Sequence, residues 1–142
     1  VGPWQMVRAV APHMKAGGSG AIVNISSLAA MRGTGSSVAY ATSKAAINAM
    51  TLSLARNLGP EIRVNVVAPA MVTGRWHLEH LGAEKYEAQM TAFANSTPLN
   101  RRVDPDDIAS AVCWLIEGAG AVTGQVLVVD SGASLGAPPR RK

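Results

Sequence analysis

Three short apolar runs, at 21–25, 62–67 and 125–129, constrain this chain more than any other feature. They read AIVNI, IRVNVV and QVLVV, and longer stretches with three- and four-residue apolar spacing lie between them. Strands that are apolar almost throughout are buried on both faces, and parallel neighbours need a connection long enough to carry a helix. The alternation therefore predicts an α/β fold, a doubly wound parallel sheet with right-handed crossovers. Helices are expected over 3–16, 38–58, 76–81 and 83–93, and another opens at Asp104-Pro105-Asp106-Asp107. That opening places acidic groups at the positive end of the helix and proline in its first turn. Pro12 is expected to bend the first helix, Gly33–Ser37 to form a loop, and Gly59-Pro60 to stop the long central helix. Three strands are few for this architecture. Residues 1–136 are accordingly expected to be the C-terminal portion of one larger domain, followed by a basic tail at 137–142.

Composition narrows the class further. The net charge of +4 falls to ten basic against nine acidic side chains once Arg140, Arg141 and Lys142 are set aside. With no interleaving of basic and aromatic residues, nucleic-acid binding is not expected. No segment is long and apolar enough to span a bilayer, and the first residues carry no basic-then-apolar leader. The one cysteine, Cys113, cannot form an internal disulfide, which fits a reducing, cytoplasmic setting. Cys113 and Trp114 sit in an apolar helix and are expected in the core. His77 and His80, with Glu79 and Glu84 nearby, lack a clear third ligand, so no metal site is expected.

The chemistry lies in two stretches. Ser26-Ser27 ends the first apolar run, and Tyr40-Ala41-Thr42-Ser43-Lys44 opens the long helix, with Ser27 thirteen residues before Tyr40. Residues four apart share a helix face, so Tyr40 and Lys44 can enter one pocket, and a strand ending at Ser27 can deliver its hydroxyl there. Ser26 stands one residue too far from Tyr40 for the same spacing. A phenol of pKa about 10 is a poor base near neutrality, and a neighbouring ammonium favours its charged form.

This Ser, Tyr-x-x-x-Lys arrangement resembles the signature of the short-chain dehydrogenase/reductase family. Gly20-Ala21-Ile22-Val23-Asn24-Ile25-Ser26-Ser27, Arg63-Val64-Asn65-Val66-Val67-Ala68-Pro69, Pro98-Leu99-Asn100-Arg101 with Pro105-Asp106-Asp107-Ile108-Ala109, and Thr123-Gly124-Gln125 leading to Asp130 resemble further family segments. The likeness extends to about residue 133 and implies a Rossmann-like fold. It implies an NAD(P)-dependent oxidoreductase interconverting an alcohol and a ketone or aldehyde. In that reading Tyr40 is the acid/base, Lys44 lowers its pKa and binds the cofactor ribose, and Ser27 positions the substrate oxygen. Pro69, Val72 and Thr73 would border the nicotinamide of NAD or NADP. Ala70 and Gly74 depart from the family turn, which usually has glycine and threonine at those places. Trp76, His77, Leu81, Met90 and Phe93 fall in the region that forms the family's mobile lid and are expected to line the substrate pocket. Tyr86, without comparable company, is read as packing. The lid composition is compatible with sugars, acyl thioesters, steroids or simple ketones.

The family's Gly-rich dinucleotide turn is absent, and Gly17-Gly18-Ser19-Gly20 precedes a strand, the wrong order for that role. The chain is therefore expected to leave an unpaired sheet edge, and on its own neither to bind a dinucleotide tightly nor to turn over. A homodimer or homotetramer is implied by the family, through the 38–58 helix with Ala41, Ala45, Ala49 and Ser53 at four-residue spacing. Two other readings remain open at this point. One is an epimerase or dehydratase on the same fold; the other is a non-catalytic or incomplete scaffold protein.

Overall fold

A computed structural model of the chain describes residues 1–136, and the expected basic tail lies outside the described residues. The three apolar runs form β1 (Gly20–Ile25), β2 (Ile62–Pro69) and β3 (Val126–Val129), which pair in the order β1-β2-β3. Both pairings are parallel, with Gly20 opposite Ile62 and Val66 opposite Val126. β2 runs two residues further than its apolar pattern suggested, through Ala68 and Pro69, because both are buried at the sheet's C-terminal end.

The strand residues alternate between two apolar layers. Ile22, Ile62 and Val64 pack against α1 (Gly2–Ala16) and α3 (Val38–Leu58), where Val7, Ala11, Leu54 and Ala55 are buried. Val23, Val67, Leu127 and Val129 pack on the other face against α6 (Pro105–Glu117), around Leu115. A sheet buried on both sides accounts for strands that are apolar at successive positions. The strands advance in one direction while α3 and α6 cover opposite faces, so the two connections differ in hand. Only one of them can follow the right-handed rule. The right-handed expectation therefore holds for one crossover at most.

The α1 helix continues through Pro12, whose ring lies on the exposed side, so proline removes one backbone bond without ending the helix. Cys113 is exposed and Trp114 is 50% exposed, contrary to the expected core positions. The buried stripe of α6 runs through Ile108, Ala111, Val112 and Leu115, and the intervening 113 and 114 rotate off it. Arg63 of β2 closes the C-terminal end of α6, donating to the carbonyls of Leu115 (2.8 Å) and Ile116 (2.9 Å). These are carbonyls that a helix end leaves unpaired. Asn65 holds the turn before β3, donating to Val122 O and accepting from Gln125 N. Between β2 and α6 lie α4 (Arg75–Leu81) and α5 (Ala83–Asn95). Two short elements went unanticipated: α2 (Ala29–Arg32), and a 3-10 turn at Ala133–Leu135. Among the described residues, no helix is long and apolar enough to cross a membrane.

Candidate active site

The site forms where β1 and β2 end and the following loops diverge. Ser37 caps α3 by accepting the Tyr40 N–H at 3.1 Å, which places Tyr40 in the first turn of that helix. One turn later Lys44 reaches back to β1, and its Nζ donates to Ile25 O at 3.1 Å. The ammonium sits 5.8 Å from the centre of the Tyr40 ring.

The two serines separate by role. Ser26 is buried and donates to Lys44 O at 2.9 Å, stitching α3 to the end of β1. Ser27 opens into a cleft of about 770 Å³ that Tyr40 also lines. The Ser27 Oγ accepts the Ala29 N–H at 3.2 Å, an interaction that leaves its own proton available to a substrate oxygen. Gly35 lies against the Tyr40 ring with φ at +129°, and a Cβ there would stand 3.2 Å from Tyr40 Cδ1 and 3.1 Å from Ala29 Cβ. The loop reading of 33–37 missed this close approach; the signal available in the sequence was a glycine five residues before the tyrosine.

The lid residues divide. Trp76, His77 and Phe93 line the cleft together with Ala70 and Met71 of the β2–α4 turn. Leu81 is not among the lining residues, and Met90 of α5 is fully buried. His80 places Nδ1 2.8 Å from Trp76 O, and its ring lies 4.4 Å from the Trp76 ring. Both contacts are local to α4. Tyr86 is buried and also accepts the Gly74 N–H at 3.2 Å, so it holds the turn that leads into the lid.

Pro69, Val72 and Thr73 follow β2 out of the sheet but do not line this cleft. Pro69 is buried, and its carbonyl accepts from Leu28 N at 2.8 Å. Val72 forms a parallel bridge with Val103; Thr73 donates through its amide to Val103 O (2.8 Å) and through its hydroxyl to Asp104. Thr73 is thus engaged with the start of α6. There Asp107 accepts from Asp104 N and pairs with Arg101 at 2.7 Å. The backbone bond from Asp104, then Arg101, hold the Asp107 carboxyl below the ordinary aspartate range against the opposing effect of burial.

The comparisons with known proteins bear on the family and the fold. A family model described as enoyl-(acyl carrier protein) reductase matches residues 1–134. The short-chain dehydrogenase/reductase homolog YusR of Bacillus subtilis is 44% identical over 128 residues, covering 90% of this chain and 94% of YusR. The chain belongs to the short-chain dehydrogenase/reductase family. It is 38% identical over 133 residues to the 7alpha-hydroxysteroid dehydrogenase of Clostridium sardiniense, covering 92% of this chain and 49% of that enzyme. A crystal structure from Burkholderia xenovorans, assigned to the same family, superposes with a TM-score of 0.83 at 42% identity. That match covers 95% of this chain and 51% of the other. The chain thus spans nearly all of YusR and about half of the longer family members. With the parallel, doubly covered sheet, this short-chain dehydrogenase/reductase carries the C-terminal half of the Rossmann-like fold.

Proposed function

We propose that this chain supplies the catalytic half of an NAD(P)-dependent oxidoreductase that interconverts an alcohol and a ketone or aldehyde. The observation that supports this most is the convergence of Ser27 and Tyr40 on one cleft, with Lys44 tethered one helical turn behind the phenol. When bound, the nicotinamide supplies or accepts the hydride. The Tyr40 hydroxyl gives a proton to the substrate oxygen in reduction and takes it back in oxidation. Ser27 donates a hydrogen bond to the same oxygen and fixes its distance from the phenol. The Lys44 ammonium, positioned by Ile25 O, offers its remaining N–H groups to the ribose hydroxyls.

The residues present fit one end of the dinucleotide. An exposed phenol, an oriented ammonium and a serine hydroxyl suit the nicotinamide riboside. No strand–glycine turn–helix in these 142 residues suits the pyrophosphate, whose cradle other residues would have to provide. Pro69, Val72 and Thr73 belong to the nicotinamide edge in this proposal, although Thr73 is already engaged with Asp104. Trp76 and His77 face the substrate. The exposed Ala49 and Ser53 on α3 leave a face of small side chains on which two copies could pair as a homodimer or within a homotetramer.

Replacing Tyr40 by Phe in the intact protein removes the exchangeable proton with little change of shape. Nicotinamide absorbance assays should show at least about a hundredfold loss of kcat, the scale of general acid–base catalysis. Dinucleotide affinity should stay close to that of the parent. Turnover that survives the change would show that Tyr40 is not the acid/base.

A further inference from the structure

The cleft has a charge character that its assigned catalytic groups do not explain. Among the described residues, neither aspartate nor glutamate lines it, and the permanently cationic side chain in its wall is Arg32 at the end of α2. Arg32 Nη2 donates to Ala133 O at 2.7 Å, a contact across 101 positions of sequence that fixes the guanidinium at the rim. That bond uses one of five donors.

Among the described residues no acid forms a salt bridge with Arg32, and Asp130 acts on it only as a nearby charge. Asp130 is buried and turned toward its own loop, where its two carboxylate oxygens accept from Gly132 N at 2.8 Å and Ser134 N at 2.7 Å. The same loop presents the Ala133 carbonyl to Arg32, since Ala133 N bonds back to Asp130 O at 2.9 Å. Asp130 therefore builds the mount for the guanidinium without forming an ion pair with it. The cleft is also lined by Trp76, Phe93 and Met71, and by the uncharged amide of Gln89.

We propose that this cleft selects carbonyl substrates bearing an anionic group, a carboxylate or a phosphate, which Arg32 holds while Ser27 and Tyr40 address the carbonyl. A guanidinium offers paired N–H groups to either oxyanion, and an interaction assisted by full charge is stronger than a neutral one. The apolar lining side chains take the carbon skeleton. This assignment rests on the oxidoreductase reading for the placement of the carbonyl, but its test measures binding and not turnover.

The experiment is an NMR-monitored titration of the protein with matched pairs: acetoacetate against methyl acetoacetate, and dihydroxyacetone phosphate against dihydroxyacetone. The charged member of at least one pair should bind about tenfold tighter or more in the parent protein, and the preference should shrink as salt is raised. Which pair shows it separates a carboxylate site from a phosphate site. Arg32→Gln should remove the preference and leave the neutral member's affinity unchanged, while Arg32→Lys should restore part of it. Absence of any preference in the parent protein would overturn the proposal without need of a variant. Equal weakening of charged and neutral members by Arg32→Gln would reduce Arg32 to a loop tether. A matching loss of NADPH affinity would assign it to the cofactor instead. Tyr40→Phe should keep the anion preference while losing turnover, so failure of this assignment and failure of the Tyr40 assignment give different results.

Discussion

At the scale of single residues, the position of the Tyr40 phenol depends on a neighbour that does no chemistry. Gly35 occupies backbone space that L side chains rarely enter, and its missing Cβ is where the Tyr40 ring and Ala29 press together. Gly35→Ala should therefore shift the ring by a few tenths of an ångström and strain the loop. Catalysis is sensitive to such misplacement, so kcat should fall about tenfold or more with a smaller change in KM. A steady-state comparison checks this, and an unchanged kcat would show that the ring has room to adjust. That Tyr40 and Lys44 lie on one side of α3 was legible from their four-residue spacing, and Ser27 was singled out with them only through the family resemblance. Gly35 and Arg32 were not legible, since both depend on approaches that spacing does not encode: a ring lying over a loop, and a contact 101 positions away.

At the scale of elements, the helices and strands followed from periodicity, and the short pieces that close the cleft did not. α2 and the 3-10 turn at Ala133–Leu135 are each too brief to show a repeat, and they are held by individual hydrogen bonds. The Asp130 turn is the clearest case, and its carboxylate makes it sensitive to pH. Burial pushes the Asp130 carboxyl up, but the hydrogen bonds from Ser134 and Gly132 and the charge of Arg32 together bring it below the ordinary value. A carboxyl depressed in the folded state favours folding above its unfolded pKa of about 3.9 and loses that contribution as pH falls through the lower folded value. Stability against urea should thus be flat near neutrality and decline below about pH 4. Asp130→Asn should cost about 1–3 kcal/mol at neutral pH and flatten the acid-side decline. A decline of unchanged steepness in the variant would place the responsible carboxyl elsewhere, Asp107 being the next depressed group near this face.

At the scale of the whole molecule, the sheet is protected unevenly. β2 is central, with Val64, Val66, Val67 and Ala68 fully buried, and it pairs on both sides. β1 pairs on one side only: Gly20 N and Ser26 N point to β2, so Ala21, Val23 and Ile25, of the opposite parity, direct their backbone groups to the open side. Ile25 O is taken by Lys44, which leaves the amides of Ala21, Val23 and Ile25 as the edge. The open edge of β1 is thus a short segment, with Lys44 covering its last carbonyl, and β3 likewise pairs only with β2. An open parallel edge with an apolar face on either side is a surface that other strands can extend. Native-state hydrogen exchange should find these three amides exchanging roughly a hundredfold faster, or more, than those of Val64 and Val66. If the edge amides are instead protected, and the protection grows with protein concentration, a second copy covers β1 and the sheet is completed between molecules. Protection that is strong and independent of concentration would mean that the edge is closed within one molecule, and the assignment of β1 as an open edge would fall.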